Sequence, residues 1–142
     1  MDITSQAVAD TATIHVKNAV GEPLYADGVA REKPVQIVIY GPSSKAFGVV
    51  EARQSSRALK RMQDNDGKLT AASAEERVQE TAEDLAAITV RFVDLSYPPA
   101  GTAEGTALFE AVYRDQTLGF IAKQVSKAVG DWANFKQKSA GS

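Results

Sequence analysis

The chain contains one histidine, His15, and no cysteine, so few of its side chains can take part in nucleophilic or metal chemistry. His15 lies between Ile14 and Val16 in an alternating run that is typical of a half-buried strand, and we expect it on the polar face of that strand. A lone histidine offers neither a zinc-ligand spacing nor an evident Ser-His-Asp arrangement. We therefore interpret His15 as an exposed strand residue.

Asp64, Asp66 and Gly67 have the spacing of the middle of an EF-hand calcium loop. A complete loop would also need Asp at position 62 and a bidentate Glu at position 73, where the chain has Met62 and Ser73. A turn that ends a helix explains the same residues, and we predict no metal site.

Residues 41–45 follow a predicted strand and precede a predicted helix, which is the position of a phosphate-binding loop. The Walker spacing is absent, and Pro42 removes an amide donor, so we interpret the segment as an N-cap turn. The neighbouring carboxylates of Glu75–Glu76 and Glu83–Asp84 point in different directions on a helix and make poor acid–base pairs. We predict no catalytic residue, no cofactor-binding residue and no enzymatic activity.

A basic patch could contact phosphate groups; it consists of Arg53, Arg57, Lys60 and Arg61. The patch has no interleaved aromatic residues and is followed by an acidic segment. We interpret it as a face that is solvated or paired with a neighbouring helix, and we expect no nucleic-acid partner. Salt-sensitive DNA binding would instead favour a basic patch that contacts nucleic-acid phosphates.

The composition is that of a globular domain. The chain has 142 residues, of which 44% are hydrophobic and 24% charged, and its net charge is −2. This charge gives no overall attraction to nucleic acid or to an anionic membrane. Residues 1–12 lack the features of a signal peptide, and no apolar stretch approaches the roughly 20 residues of a membrane span. We expect a cytoplasmic protein of one domain, residues 1–142, without membrane contact.

Hydrophobic periodicity predicts an α+β fold, in which an N-terminal antiparallel β-hairpin or small sheet is followed by about four helices. The β-rich part spans about residues 11–41, with strands at 11–17 and 35–40 and a short third strand near Leu24. The helical part spans about residues 43–136, with helices at 43–63, from Ser73 through an apolar seam that reaches Phe92, at 106–114, and from Asp115 or Thr117 onward. We expect frayed termini, including a polar tail at 136–142.

The first two helices carry opposite charges. Residues 43–63 have a net charge of +4, because five basic residues stand against Glu51, and residues 73–84 have a net charge of −4. A loop of roughly 10 residues between them favours antiparallel packing with complementary faces.

The last helix carries the most informative apolar seam, at spacings of 4, 3, 4 and 3: Ile121, Val125, Ala128, Trp132 and Phe135. One interpretation is packing against the core of the protein. The other is that part of the seam binds a partner, since aromatic residues are enriched among interface anchors.

The order of several motifs along residues 11–136 is similar to that of a known family. These motifs are Gly21-Glu22-Pro23-Leu24, Asp27-Gly28, the run 34–44, the Arg-rich helix, Leu85 to Val90, Ala107-Leu108-Phe109, Tyr113, the run 121–125, and Asp131-Trp132-Ala133-Asn134-Phe135. In this order the chain resembles the lambda-type tail assembly chaperones of long-tailed bacteriophages. Family members often have a Trp near the end of the acidic helix and then a Pro-Phe-Ser-type cap, whereas this chain has Arg91-Phe92 and Tyr97-Pro98-Pro99.

The resemblance implies a non-enzymatic assembly factor in the host cytoplasm. Such chaperones bind the tape-measure protein, keep it soluble and help tube subunits to polymerise around it. In several phages a frameshifted extension recruits the major tail tube protein, and a homo-oligomer is a further expectation. Our hypothesis for the partner-binding residues comprises Leu108, Phe109, Ile121, Val125, Trp132 and Phe135.

Two other classes stay open at this stage. The chain could be a structural virion protein that remains in the tail or at the head–tail joint, in which case it would be present in purified particles. A nucleic-acid module that uses the basic helix is the other class.

Overall fold

The structure, a computed structural model, describes residues 1–67 and 72–137. Over these residues the chain has an α+β fold in which a three-stranded antiparallel sheet packs with four α-helices, as predicted. The elements are β1 (Thr11–His15), β2 (Gln36–Tyr40), α1 (Lys45–Asp64), α2 (Ala74–Ala87), β3 (Thr89–Val93), α3 (Gly105–Arg114) and α4 (Gly119–Val129). The part of the predicted polar tail beyond residue 137 lies outside the described residues.

The central strand β2 organises the sheet, whose order is β1-β2-β3. The hairpin register pairs Thr13 of β1 with Val38 of β2. Ile37 and Ile39 point to the opposite face from Val38 and are completely buried. This face joins a single hydrophobic cluster to which all four helices contribute. The alternation of β-branched residues in β2 therefore places the core on the helix-covered side of the sheet.

The third strand was predicted as the end of the second helix, and that prediction was wrong. Helix α2 ends at Ala87, and β3 follows after Ile88. The Ile88 carbonyl accepts a hydrogen bond from Tyr40 N at 2.7 Å, which begins the pairing with β2. Phe92 still faces the core because it lies opposite Ile37 in the sheet. The apolar positions were identified correctly, but the β-branched residues of this segment extend the chain as a strand.

The short strand expected near Leu24 is a loop with isolated bridges. Lys17 pairs with Pro23, and Tyr25 pairs with Pro34, on either side of Leu24. Leu24 N donates to the Val16 carbonyl at 2.9 Å, so the loop continues the edge of the hairpin without forming a strand.

The last helix is shorter than its apolar seam predicts. Helix α4 ends at Val129, and Trp132–Phe135 form a separate 3₁₀ turn. The Asp131 carboxylate caps this turn by accepting from Ala133 N at 3.0 Å. The change of direction separates the two aromatic residues, since Trp132 is 56% exposed and Phe135 only 1%.

Phe135 fastens the C-terminal turn to the sheet. A Cβ atom added to Gly41 would lie 2.8 Å from Phe135 Cγ, so the ring fits only because residue 41 is glycine. The Phe135 carbonyl accepts from Ala9 N at 2.7 Å, and Lys136 forms an antiparallel bridge with Val8. The chain is therefore paired at Lys136, where a frayed tail was expected.

The N-terminus also has local structure where fraying was expected. Ile3–Gln6 form a 3₁₀ turn, and the Asp2 carboxylate accepts from Thr4 N at 3.0 Å. Hydrogen bonds from Thr4 hold the pKa of Asp2 below its usual value.

We expect Phe135→Ala to lower the free energy of unfolding by about 3–5 kcal/mol, because it leaves a cavity beside Gly41. Trp132→Ala, in the same turn, should cost less, at most about 2 kcal/mol, since more than half of this residue is in water. Urea denaturation monitored by circular dichroism measures both values. Equal losses in the two variants would contradict the assignment of Phe135 as the anchor.

Candidate protein-interaction site

The six residues of the partner-binding hypothesis do not form one surface. Four of them belong to the hydrophobic core with exposed fractions of 7% or less: Phe109, Ile121, Val125 and Phe135. Leu108 is half-buried against the same core, and Trp132 is exposed. In this conformation the core interpretation therefore holds for the four buried residues, Leu108 is partly accessible, and Trp132 is the most exposed of the six.

Phe109 is buried in an aromatic cluster between α3 and β3. Its ring lies 4.6 Å from the ring of Phe92, centroid to centroid, and Phe92 in turn makes an edge contact with Tyr113. The Tyr113 hydroxyl and Thr89 Oγ1 are hydrogen-bonded at 2.7 Å, and burial raises the pKa of Tyr113. These contacts join α3 to β3 and make Phe109 part of the core.

Trp132 is displayed on a firmly held turn. Asn134 Nδ2 donates to the Ala128 carbonyl at 3.0 Å, which ties the turn back to α4. Together with the Asp131 cap and the buried ring of Phe135, this bond fixes the backbone on both sides of the indole. An aromatic side chain on an ordered backbone loses little conformational entropy when it binds.

A cleft of about 330 Å³ lies beside this turn, between β1 and α4. Asp131 and Asn134 belong to its wall, and the other lining residues are Ile14, His15, Lys17, Gln124, Lys127 and Ala128. Gln124 closes one end, because its side chain accepts from Lys17 N at 2.8 Å and donates to the Lys17 carbonyl at 2.7 Å. This pair of bonds holds α4 against the edge of the sheet.

His15 was expected to be exposed, and the structure shows it half-buried. Its Nε2 lies 2.7 Å from the Leu24 carbonyl, which requires a hydrogen on that nitrogen. The imidazole also makes a T-shaped contact with Tyr25 at 4.9 Å between centroids. His15 thus secures the loop after β1, a role that strand periodicity alone does not reveal.

Helices α1 and α2 pair through their charges in antiparallel order, as the sequence predicts. Arg57 donates to both oxygens of Asp84, at 2.8 and 2.9 Å, and to Glu83 at 2.9 Å. Arg61, one turn later in α1, pairs with Glu80, one turn earlier in α2. Much of the basic patch is therefore engaged within the chain.

The outer side of α1 is weakly apolar. Val50 is the buried residue of this 20-residue helix, while Val49 and Leu59 are 52% and 55% exposed. The ion pairs of Arg57 and Arg61 therefore add to the hydrophobic contacts that Val50 and Phe47 make with the core.

The Asp115 carboxylate shapes the corner between α3 and α4. It accepts from Thr117 N at 3.0 Å, from Thr117 Oγ1 at 2.6 Å and from the Tyr97 hydroxyl at 2.8 Å. The bonds from Thr117 and Tyr97 hold the pKa of Asp115 below its usual value, and the bond to Asp115 raises the pKa of Tyr97. Asp115 was one of the two expected caps, and it caps the 3₁₀ turn Gln116–Leu118 that leads into α4.

Within residues 1–67 and 72–137, no group of three or more His, Asp or Glu side chains is arranged to hold a metal ion. No helix in this described part combines the length and the apolar composition that a bilayer crossing requires.

We expect Arg57→Ala to lower the free energy of unfolding by about 3 kcal/mol, because it leaves the mostly buried Asp84 without its main partner. The exposed neighbour Lys60 is the matched control, and Lys60→Ala should cost no more than about 0.5 kcal/mol. Urea denaturation measures both. A similar small loss in the two variants would show that the charges do not hold α1 in place.

Asp115→Asn should lower stability at neutral pH, because the asparagine cannot offer a charged acceptor to Thr117 and Tyr97. The lowered pKa of Asp115 means that this stabilisation is present above the usual value of 3.8 and is lost as the pH falls through the folded-state pKa. The difference from the parent should therefore shrink in acid, as measured by urea denaturation over a pH series.

Thr117→Val keeps the Asp115 carboxylate but removes the hydroxyl donor, so it should give a smaller loss with the same pH dependence. A difference between Asp115→Asn and the parent that does not vary with pH would contradict the proposed charge-assisted bonds.

The chain matches no protein-family model, no curated protein and no solved structure.

Proposed function

We propose that this protein is a tail assembly chaperone of a long-tailed bacteriophage, which binds the tape-measure protein, keeps it soluble and promotes assembly of the tail tube. The order of motifs along residues 11–136 supports this function, from Gly21-Glu22-Pro23-Leu24 to Asp131-Trp132-Ala133-Asn134-Phe135. In the proposal it acts without catalysis in the host cytoplasm, and the major tail tube protein is a second partner.

The observation that carries the proposal is the exposure of Trp132 on an ordered turn. Tryptophan is one of the side chains enriched among the residues that dominate binding energy, and such residues cluster near the buried centre of an interface. A tryptophan that is 56% exposed offers this contact without a change in the protein's own core. The Phe135 anchor keeps the surrounding backbone in place whether or not a partner is bound.

A tape-measure protein is long, so one chain can offer many apolar segments to many copies of a chaperone. Each contact can then be weak, because a high local concentration of sites raises the overall occupancy. A single displayed aromatic residue fits this requirement better than a broad apolar surface, which would promote self-association.

We expect Trp132→Ala to weaken binding of the tape-measure protein about thirtyfold, which corresponds to a contact worth about 2 kcal/mol. Co-expression should show a smaller soluble fraction of the tape-measure protein, and titration of the purified proteins should give the loss in affinity. Leu59→Ala is the control, because Leu59 is equally exposed but lies on α1. It should leave binding unchanged.

A folded Trp132→Ala variant that still solubilises the tape-measure protein would overturn the role of Trp132. Stoichiometric recovery of the chain in purified phage particles would overturn the transient chaperone and favour a structural virion protein.

A further inference from the structure

A second surface, away from Trp132, combines an apolar floor with unpaired positive charge. A groove of about 420 Å³ opens between the first half of α2 and the corner that joins α3 to α4. Four of the residues that line it have small side chains or none, which leaves room between the helices: Ala74, Thr81, Gly119 and Ala122.

Val78 explains why the groove is apolar. It begins the hydrophobic seam of α2, whose later members Ala82 and Leu85 are buried in the core. Val78 remains only half-buried, because the seam extends beyond the helices that cover it. Tyr113 adds an aromatic wall at the deep end of the groove.

Arg77 and Lys123 bring positive charge to the rim of this groove from α2 and α4. Neither side chain forms an ion pair within the described residues, whereas Arg53, Arg57 and Arg61 of α1 all pair with carboxylates of α2. These carboxylates are thus engaged with α1. Asp115 also lines the groove, and the hydrogen bonds from Thr117 and Tyr97 lower its pKa and keep its carboxylate charged, so the two cations of the lining outweigh one negative charge.

We propose that this groove, the α2–α4 groove, binds an acidic amphipathic helix of a partner protein. Apolar side chains of the helix pack on Val78 and Ala122, and its flanking carboxylates pair with Arg77 and Lys123. The charge of the rim selects an acidic partner over a basic one, since like charges across an interface cost several kcal/mol. This inference rests on the proposed function, because the acidic helix is taken to be a segment of a protein that the chaperone binds.

The direct test uses two synthetic helical peptides of about 18 residues, or five turns, each labelled with fluorescein. Both carry leucine at the core positions of an amphipathic helix, and the flanking positions are glutamate in one peptide and lysine in the other. Fluorescence anisotropy with the full chain at low ionic strength measures the two affinities, because salt screens exposed charges. We expect the acidic peptide to bind at least about tenfold more tightly than the basic one.

Charge reversal at the rim should invert this preference. Arg77→Glu combined with Lys123→Glu should weaken the acidic peptide about tenfold or more and strengthen the basic one. Arg91→Glu combined with Lys60→Glu is the matched control, since it makes the same change in net charge at two exposed sites outside the groove. The control should keep the preference for the acidic peptide.

Filling the groove tests its apolar floor separately. Ala122→Met should weaken the acidic peptide without any change in net charge, with circular dichroism confirming the fold. Equal binding of the two peptides, or unchanged binding in the rim and filling variants, would overturn the proposal. Dimerisation of the free chain that the rim variant abolishes would also overturn it, because a second copy would then be the occupant.

The peptide assay contains no phage protein, so its failure is distinct from a failure of the proposed function. The co-expression experiment with Trp132→Ala tests the chaperone function independently of the groove.

Discussion

The contact between the Phe135 ring and Gly41 joins the C-terminal turn to the central strand of the sheet. Gly41 directly follows the central strand, and any larger residue there would collide with the ring that closes the C-terminal turn. The same turn supplies the carbonyl that Ala9 binds and the backbone that pairs with Val8. The edge of β1, the end of β2 and the end of α4 are therefore positioned together, and the display of Trp132 follows from this arrangement.

The charges of the first two helices are largely paired with each other. The net charge is only −2 although α1 is basic and α2 is acidic, because their charges largely cancel. Arg57 and Arg61 of α1 pair directly with carboxylates of α2. These pairs engage Glu80 and Asp84 with α1, while Arg77, which lines both the cavity beside these pairs and the α2–α4 groove, forms no ion pair among the described residues. The near-neutral total thus results from pairing, and two cations that form no ion pair among the described residues, Arg77 and Lys123, line the α2–α4 groove.

Sequence patterns predicted the α+β class, the hairpin, and the antiparallel charge pairing of α1 with α2, because these depend on local periodicity and on large differences in charge. They failed at β3 and at the end of α4, where tertiary contacts decide. Phe92 fits the apolar seam of a helix as well as a strand, and its pairing with β2 decides in favour of the strand. Trp132 fits the apolar seam of α4, but α4 ends at Val129 and Asp131 caps a separate turn. Four residues of the hypothesised partner site proved to be core for the same reason, since an apolar seam does not reveal which of its members the protein itself covers.

The central claim is that Trp132 is exposed in the free protein and becomes buried against the tape-measure protein. Trp132 is the only tryptophan in the chain, so its fluorescence reports on this one position. Acrylamide quenching, measured alone and with a tryptophan-free fragment of the tape-measure protein, is the most direct measurement. We predict strong quenching in the free protein, with protection and a blue-shifted emission in the complex. A complex in which Trp132 remains as accessible to acrylamide as in the free protein would contradict the account.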